Sequence, residues 1–151
     1  MLRARRDFWA MDNNTENAAI GRFGYVSDFD AKRMMARVAF PDKNNLVSDW
    51  LPVLTRNAKL TRDEHYLDVG EHVYCLMQGN GLEAGVILGA VYDDANKPEI
   101  GDKDIRSVQF EDGSMFKHNR STGTLDVYCT GDINITAKGN VKIIGARIDL
   151  N

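Results

Sequence analysis

Two cysteines in 151 residues are too few for a disulfide scaffold. Cys75 and Cys129 lie far apart, inside apolar strand patterns, and no metal-ligand spacing surrounds either. They read as free, buried thiols acting as small hydrophobes. Charge of one sign is also scarce: the net charge is −3, so no global basic field recruits nucleic acid or an acidic membrane. No stretch approaches the ~18 apolar residues of a membrane helix. The opening run of Arg3, Arg5, Arg6, Phe8 and Trp9 has no apolar core behind its charges, unlike a signal peptide. The expectation is synthesis and first use in the cytoplasm. At 43% hydrophobic and 27% charged, the composition suits one domain, or one small domain with an appendage.

Chemical motifs are equally sparse. His65, His72 and His118 stand in no zinc-binding spacing and read as surface histidines, with His72 on a sheet face. No nucleophile motif occurs. The run 78–81, Gln-Gly-Asn-Gly, is followed by neither a helix pattern nor Lys-Ser/Thr, so it cradles no phosphate. The expectation is no catalytic residue, no metal and no cofactor.

What is present is a repeat. Residues 123–151 divide into eight-residue units opening on Gly123, Gly131 and Gly139. In each unit the third, fifth and seventh residues are apolar or small: Leu125, Val127, Cys129; Ile133, Ile135, Ala137; Val141, Ile143, Gly145. After Gly145 the parity slips by one, to Ile148 and Leu150, so Gly145-Ala146 reads as a bulge or corner. Such alternation predicts strands with one buried face, and each glycine suits a corner. One copy buries only a narrow stripe, too little to offset the entropy of ordering it. The simplest cover is the same stripe from other copies of the chain. The seventh position shrinks from Cys129 to Ala137 to Gly145, which predicts a taper.

The chain ahead of the repeat reads as follows. Residues 1–17 form an arm whose Phe8 and Trp9 suit docking on a neighbour. Residues 18–92 carry five expected strands, near 19–29, 34–40, 50–54, 71–77 and 83–92. A turn is expected at 28–33, and 56–69 is expected as a polar surface loop. Five short strands, with Gly85 and Gly89 inside the last, suit a small barrel of the OB type. Residues 93–104 form a polar linker. Residues 105–151 open with a hairpin signal at Glu111-Asp112-Gly113-Ser114 and a turn at 119–124, then enter the repeats. The expected fold is all-β: an OB-type five-stranded barrel, then an intertwined triple-stranded β-helix, in a homotrimer. In a threefold assembly an inward His118 would form a ring of three, but the turn after it leaves its parity open.

Several segments resemble phage baseplate assembly protein V, the central spike family of contractile tails. They are the runs 20–26 (Ile-Gly-Arg-Phe-Gly-Tyr-Val), 37–41 (Arg-Val-Ala-Phe-Pro), 47–54 (Val-Ser-Asp-Trp-Leu-Pro-Val-Leu) and 69–73 (Val-Gly-Glu-His-Val). The fullest is 85–98, Gly-Val-Ile-Leu-Gly-Ala-Val-Tyr-Asp-Asp-Ala-Asn-Lys-Pro, and the likeness continues through 110–113 and 122–125 into the repeats. The resemblance implies a homotrimeric needle, driven through the target cell envelope when the tail sheath contracts. Its place would be the baseplate of a virion or tailocin, with hub or tube proteins at its base. Its trimer core would comprise Leu125, Val127, Cys129, Ile133, Ile135, Ala137, Val141, Ile143, Ile148 and Leu150. Longer members end in a His-x-His tip that holds iron; this chain has no His-x-His. The expectation is therefore a separate small tip protein over unpaired strand edges. The alternative is an OB-fold module binding single-stranded nucleic acid or a partner protein, trimerised by its tail. Only Arg37 and Trp50 on the second and third strands speak for nucleic acid.

Overall fold

The computed structural model describes residues 21–78 and 81–149. These form an all-β chain with strands β1 (Gly21–Asp30), β2 (Met35–Phe40), β3 (Leu46–Val47), β4 (Leu51–Pro52), β5 (His72–Met77), β6 (Gly85–Ala90), β7 (Ile105–Gln109), β8 (Met115–Asn119) and β9 (Thr124–Tyr128). Contacts divide the chain between Lys97 and Pro98.

The first unit holds one antiparallel sheet in the order β3-β2-β1-β5-β6, with β4 also paired to β2. Alternation sets its core face. Val26 of β1, Ala36, Val38 and Phe40 of β2, Val73, Cys75 and Met77 of β5, and Ile87 of β6 are buried together with Leu51, Val53 and Leu67. Each Val, Leu, Ile, Phe or Met among them, fully buried, contributes about 1.5–3 kcal/mol. Gly24 sits where β1 crosses β2 closely: a methyl there would strike Val38 and stand 2.7 Å from the Ala39 carbonyl oxygen.

Three expectations change here. β1 runs on through 28–30, where a turn was expected, because a bulge at Ser27 absorbs the register shift before Asp28 pairs with Arg37. The turn follows at 31–34, where the Asp30 carboxylate accepts the Lys32 and Arg33 backbone N–H groups. The expected third strand at 50–54 is shorter and preceded by another: β3 and β4 both pair with β2 and are interrupted at Ser48. Buried Ser48 fills the gap, its N–H donating to the Val38 carbonyl and its hydroxyl accepting from the Val38 N–H. The last strand is confined to Gly85–Ala90, and its register shift leaves Leu88 bulged beside Gly89, whose φ is +156°.

Among the described residues neither sheet closes on itself through a ladder. Past β4, one parallel bridge joins Val53 to Ile87, and the Leu54 N–H donates to the Ile87 carbonyl.

The second unit is an antiparallel meander, β7-β8-β9. Its turns are those marked in the sequence: Gly113 (φ +87°) lies between β7 and β8, and Gly123 (φ +71°) between β8 and β9. The Asn119 side chain accepts from the Ser121 N–H at 2.9 Å. Beyond Tyr128 the expected repeat strands are absent from the described residues of the single chain: 129–149 form no ladder. A strand is held by a ladder of backbone hydrogen bonds to a neighbour, and among the described residues no other segment of the chain supplies that ladder to 129–149. They bend at Thr130-Gly131, Lys138-Gly139 and Ala146.

Candidate functional site

Pairing register separates the two faces of the meander. Val108, Phe116 and Val127 lie opposite one another across the three strands, as do Arg106, His118 and Leu125. The other face is mixed: Ser107, Lys117 and Asp126, the last two joined by a 3.3 Å ion pair, lie at its middle, with Ile105, Met115 and Tyr128 toward its ends. One face is therefore mainly apolar, extended by Phe110, whose ring meets Phe116 edge-on at 6.5 Å. The register also settles His118: it shares a face with Leu125 and Val127.

This face is uncovered in the single chain. Among the described residues, every buried hydrophobic one lies between Val26 and Ile87, and 98–149 contribute none. Leu125, Val127, Ile133, Ile135, Val141 and Ile143 are 50–73% exposed, Ile148 is 50% exposed, and Ala137 is exposed as well. Cys129, expected to be buried, is only partly so; its thiol stands 3.6 Å from the Asp132 carbonyl. Leu150, Phe8 and Trp9 lie outside the described residues. Large apolar side chains exposed in this number mark an interaction site. Val108 and Phe116 extend it ahead of the repeats. Their alternation with polar neighbours on either side of the Gly113 turn was the signal available for them.

The meander is latched at its hairpin tip. The Asp112 carboxylate accepts from the Ser114 N–H at 2.9 Å, the Ser114 hydroxyl at 2.9 Å and the Thr130 hydroxyl at 2.8 Å. The Ser114 N–H first, then the Thr130 and Ser114 hydroxyls, hold the Asp112 carboxyl below its ordinary value. The latch fixes the direction in which the chain leaves β9 for the repeats.

Groups that could carry chemistry do not converge. Among the described residues no three His, Cys, Asp or Glu side chains come close enough to hold a metal ion. His65 is exposed in its loop. His72, expected at the surface, is buried: its ring stacks on Tyr25 at 4.7 Å, and its Nδ1 lies 3.6 Å from Asp93. Burial pushes the Cys75 thiol up to about 12. The two residues that suggested nucleic acid are engaged locally. Arg37 Nε donates to the Ser48 carbonyl at 3.0 Å, and the Arg33 guanidinium sits 4.8 Å over the Trp50 ring.

Compared with known proteins, the sequence matches no protein-family model, and no curated protein matches it significantly.

Proposed function

We propose that this chain is the structural spike of a contractile tail baseplate, a homotrimer whose C-terminal needle pierces the target envelope when the sheath contracts. The observation that carries the reading is the second unit's lack of a core. Its apolar row, from Val108 and Phe116 through Ile143, is exposed in one chain. Residues 129–149 carry the alternation of strands but have no strand partner in the chain. Three copies turned about one axis supply both deficits at once, the dry interior and the ladder partners. Each apolar side chain fully buried in that way adds about 1.5–3 kcal/mol. The eight-residue spacing of Gly131 and Gly139, with bends at both, suits the corners of a triple-stranded β-helix. The resemblance of the sequence to baseplate assembly protein V supports a mechanical role for that needle.

The first unit serves as the wide base. Its five-strand path, with the segment after β4 bridged to β6, supports a barrel of the OB type. Hub or tube proteins are its proposed partners, and the work needs no catalytic residue or cofactor. The tests are native mass and a low-resolution envelope. A trimer with a broad base and a thin needle is expected, and deletion of residues 105–151 should leave a monomer. A truncated chain that remains trimeric would refute the β-helix. Binding of single-stranded DNA that weakens with salt would favour a nucleic-acid module instead.

A further inference from the structure

The sheet of the first unit is apolar on both faces. Opposite its core, Phe23 and Tyr25 of β1 stand beside Tyr74 and His72 of β5, and Leu76 of β5 stands beside Val86 of β6. Their rings form one cluster, with Phe23 and Tyr74 at 4.6 Å, Phe23 and His72 at 5.5 Å, and Tyr25 and His72 at 4.7 Å. Leu76 is 43% exposed and Tyr25 40%. An antiparallel sheet with one face in water normally alternates apolar and polar residues. This one has a second apolar face and calls for a second covering layer.

We propose that this outer face seats residues 1–17 of the same chain, with Phe8 and Trp9 laid against Tyr25, Tyr74 and Leu76. Three features select that occupant. The segment runs directly into β1 at Gly21, a strand at the centre of the face. The eleven residues between Trp9 and Gly21 reach roughly 36 Å when extended, against about 10 Å across three strands, so folding back is unconstrained. The charges also match. Arg3, Arg5 and Arg6 precede the aromatic pair, while Asp93 stands at the His72 end of the face, 3.6 Å from the imidazole. The arm would then complete the base rather than dock on a neighbour. This inference is independent of the needle.

Trp9 reports on it directly in a full-length Trp50→Phe chain, where it is the sole tryptophan. The expected result is blue-shifted emission with low acrylamide quenching. Leu76→Lys should shift the emission red and raise the quenching, while Leu60→Lys, far more exposed at 96%, should change neither. If Leu76→Lys fails to fold, deletion of residues 1–17 gives the readout as a gain in binding of an apolar dye. The proposal is overturned by a Trp9 as accessible as in urea, by indifference to Leu76→Lys in a folded chain, or by unchanged dye binding after the deletion. Protection that disappears on dilution would assign the face to a neighbouring copy's arm and equally overturn it.

Discussion

Thr130 donates its hydroxyl hydrogen to the Asp112 carboxylate at 2.8 Å, across eighteen residues of sequence. This bond ties the tip of the β7–β8 hairpin to the bend at Thr130-Gly131, the second corner of the glycine repeat. Among its described residues the unit buries no hydrophobic side chain, so within one chain such polar latches hold it.

The latch makes the second unit acid-sensitive. The Asp112 carboxyl is held below its ordinary value, chiefly by the Ser114 N–H. A group with a lowered folded pKa adds stability above its unfolded value, about 4, and that stability is lost as pH falls through the folded value. Asp112→Asn should lower the melting temperature by a few degrees at pH 6 and have progressively less effect in acid. Melting curves between pH 6 and 2 check this. An equal loss at every pH would assign the effect to packing instead.

Ile135 stands in the middle of the exposed row. In the proposed trimer, Ile135→Asp would bring three carboxylates to one axis, at an effective cost of several kcal/mol per ion. The soluble trimer should vanish, while Ile135→Val, costing about 0.5–1.5 kcal/mol per chain, should preserve it. Light scattering after size exclusion measures both. An intact Ile135→Asp trimer would place this residue on the outside.

Arg22 points to the core side of β1, its side chain 4% exposed, and is paired with Asp42. Its Nε has no hydrogen-bond partner. Asp42→Ala would leave a buried charge uncompensated and should destabilise by about 3–5 kcal/mol. Adding Arg22→Met should recover much of that loss, because two apolar groups replace a broken pair. Urea unfolding of the single and double variants decides it; a loss below about 1 kcal/mol in Asp42→Ala would mean that solvent reaches the pair.

Cys75 is buried, and its thiol is pushed up to about 12. At pH 8 almost none is thiolate, so a disulfide reagent should react with it only as fast as the unit opens. The expected titration of native protein is at most one fast thiol per chain, from Cys129, and none where assembly covers it. Two fast thiols would contradict the burial of Cys75.

Much of the local structure was legible because it rests on neighbouring residues. Gly113 and Gly123 lie in turns at positive φ, which glycine adopts without strain. Alternation marked most core strands. It ended the first strand near 29 and overlapped it with a turn at 28–33; the bulge at Ser27 shifts the register by one residue and carries β1 through Asp30. It missed the break at Ser48, which depends on one hydroxyl meeting the Val38 backbone. The candidate row was visible from Leu125 onward; alternation marked Val108 and Phe116 as strand positions, and the pairing register set them on the same face as Val127.

By itself, the sequence determined the all-β class, the eight-residue rhythm of the tail and the apolar identity of its stripe, since each follows from spacing along one chain. Tertiary structure decided which residues share a face. It buried His72, left Cys129 half-covered, placed His118 beside Leu125 and left residues 129–149 without a ladder. These outcomes depend on what lies across from a residue rather than beside it. Strand partners and covering surfaces come from distant segments, and alternation in one strand carries no record of them.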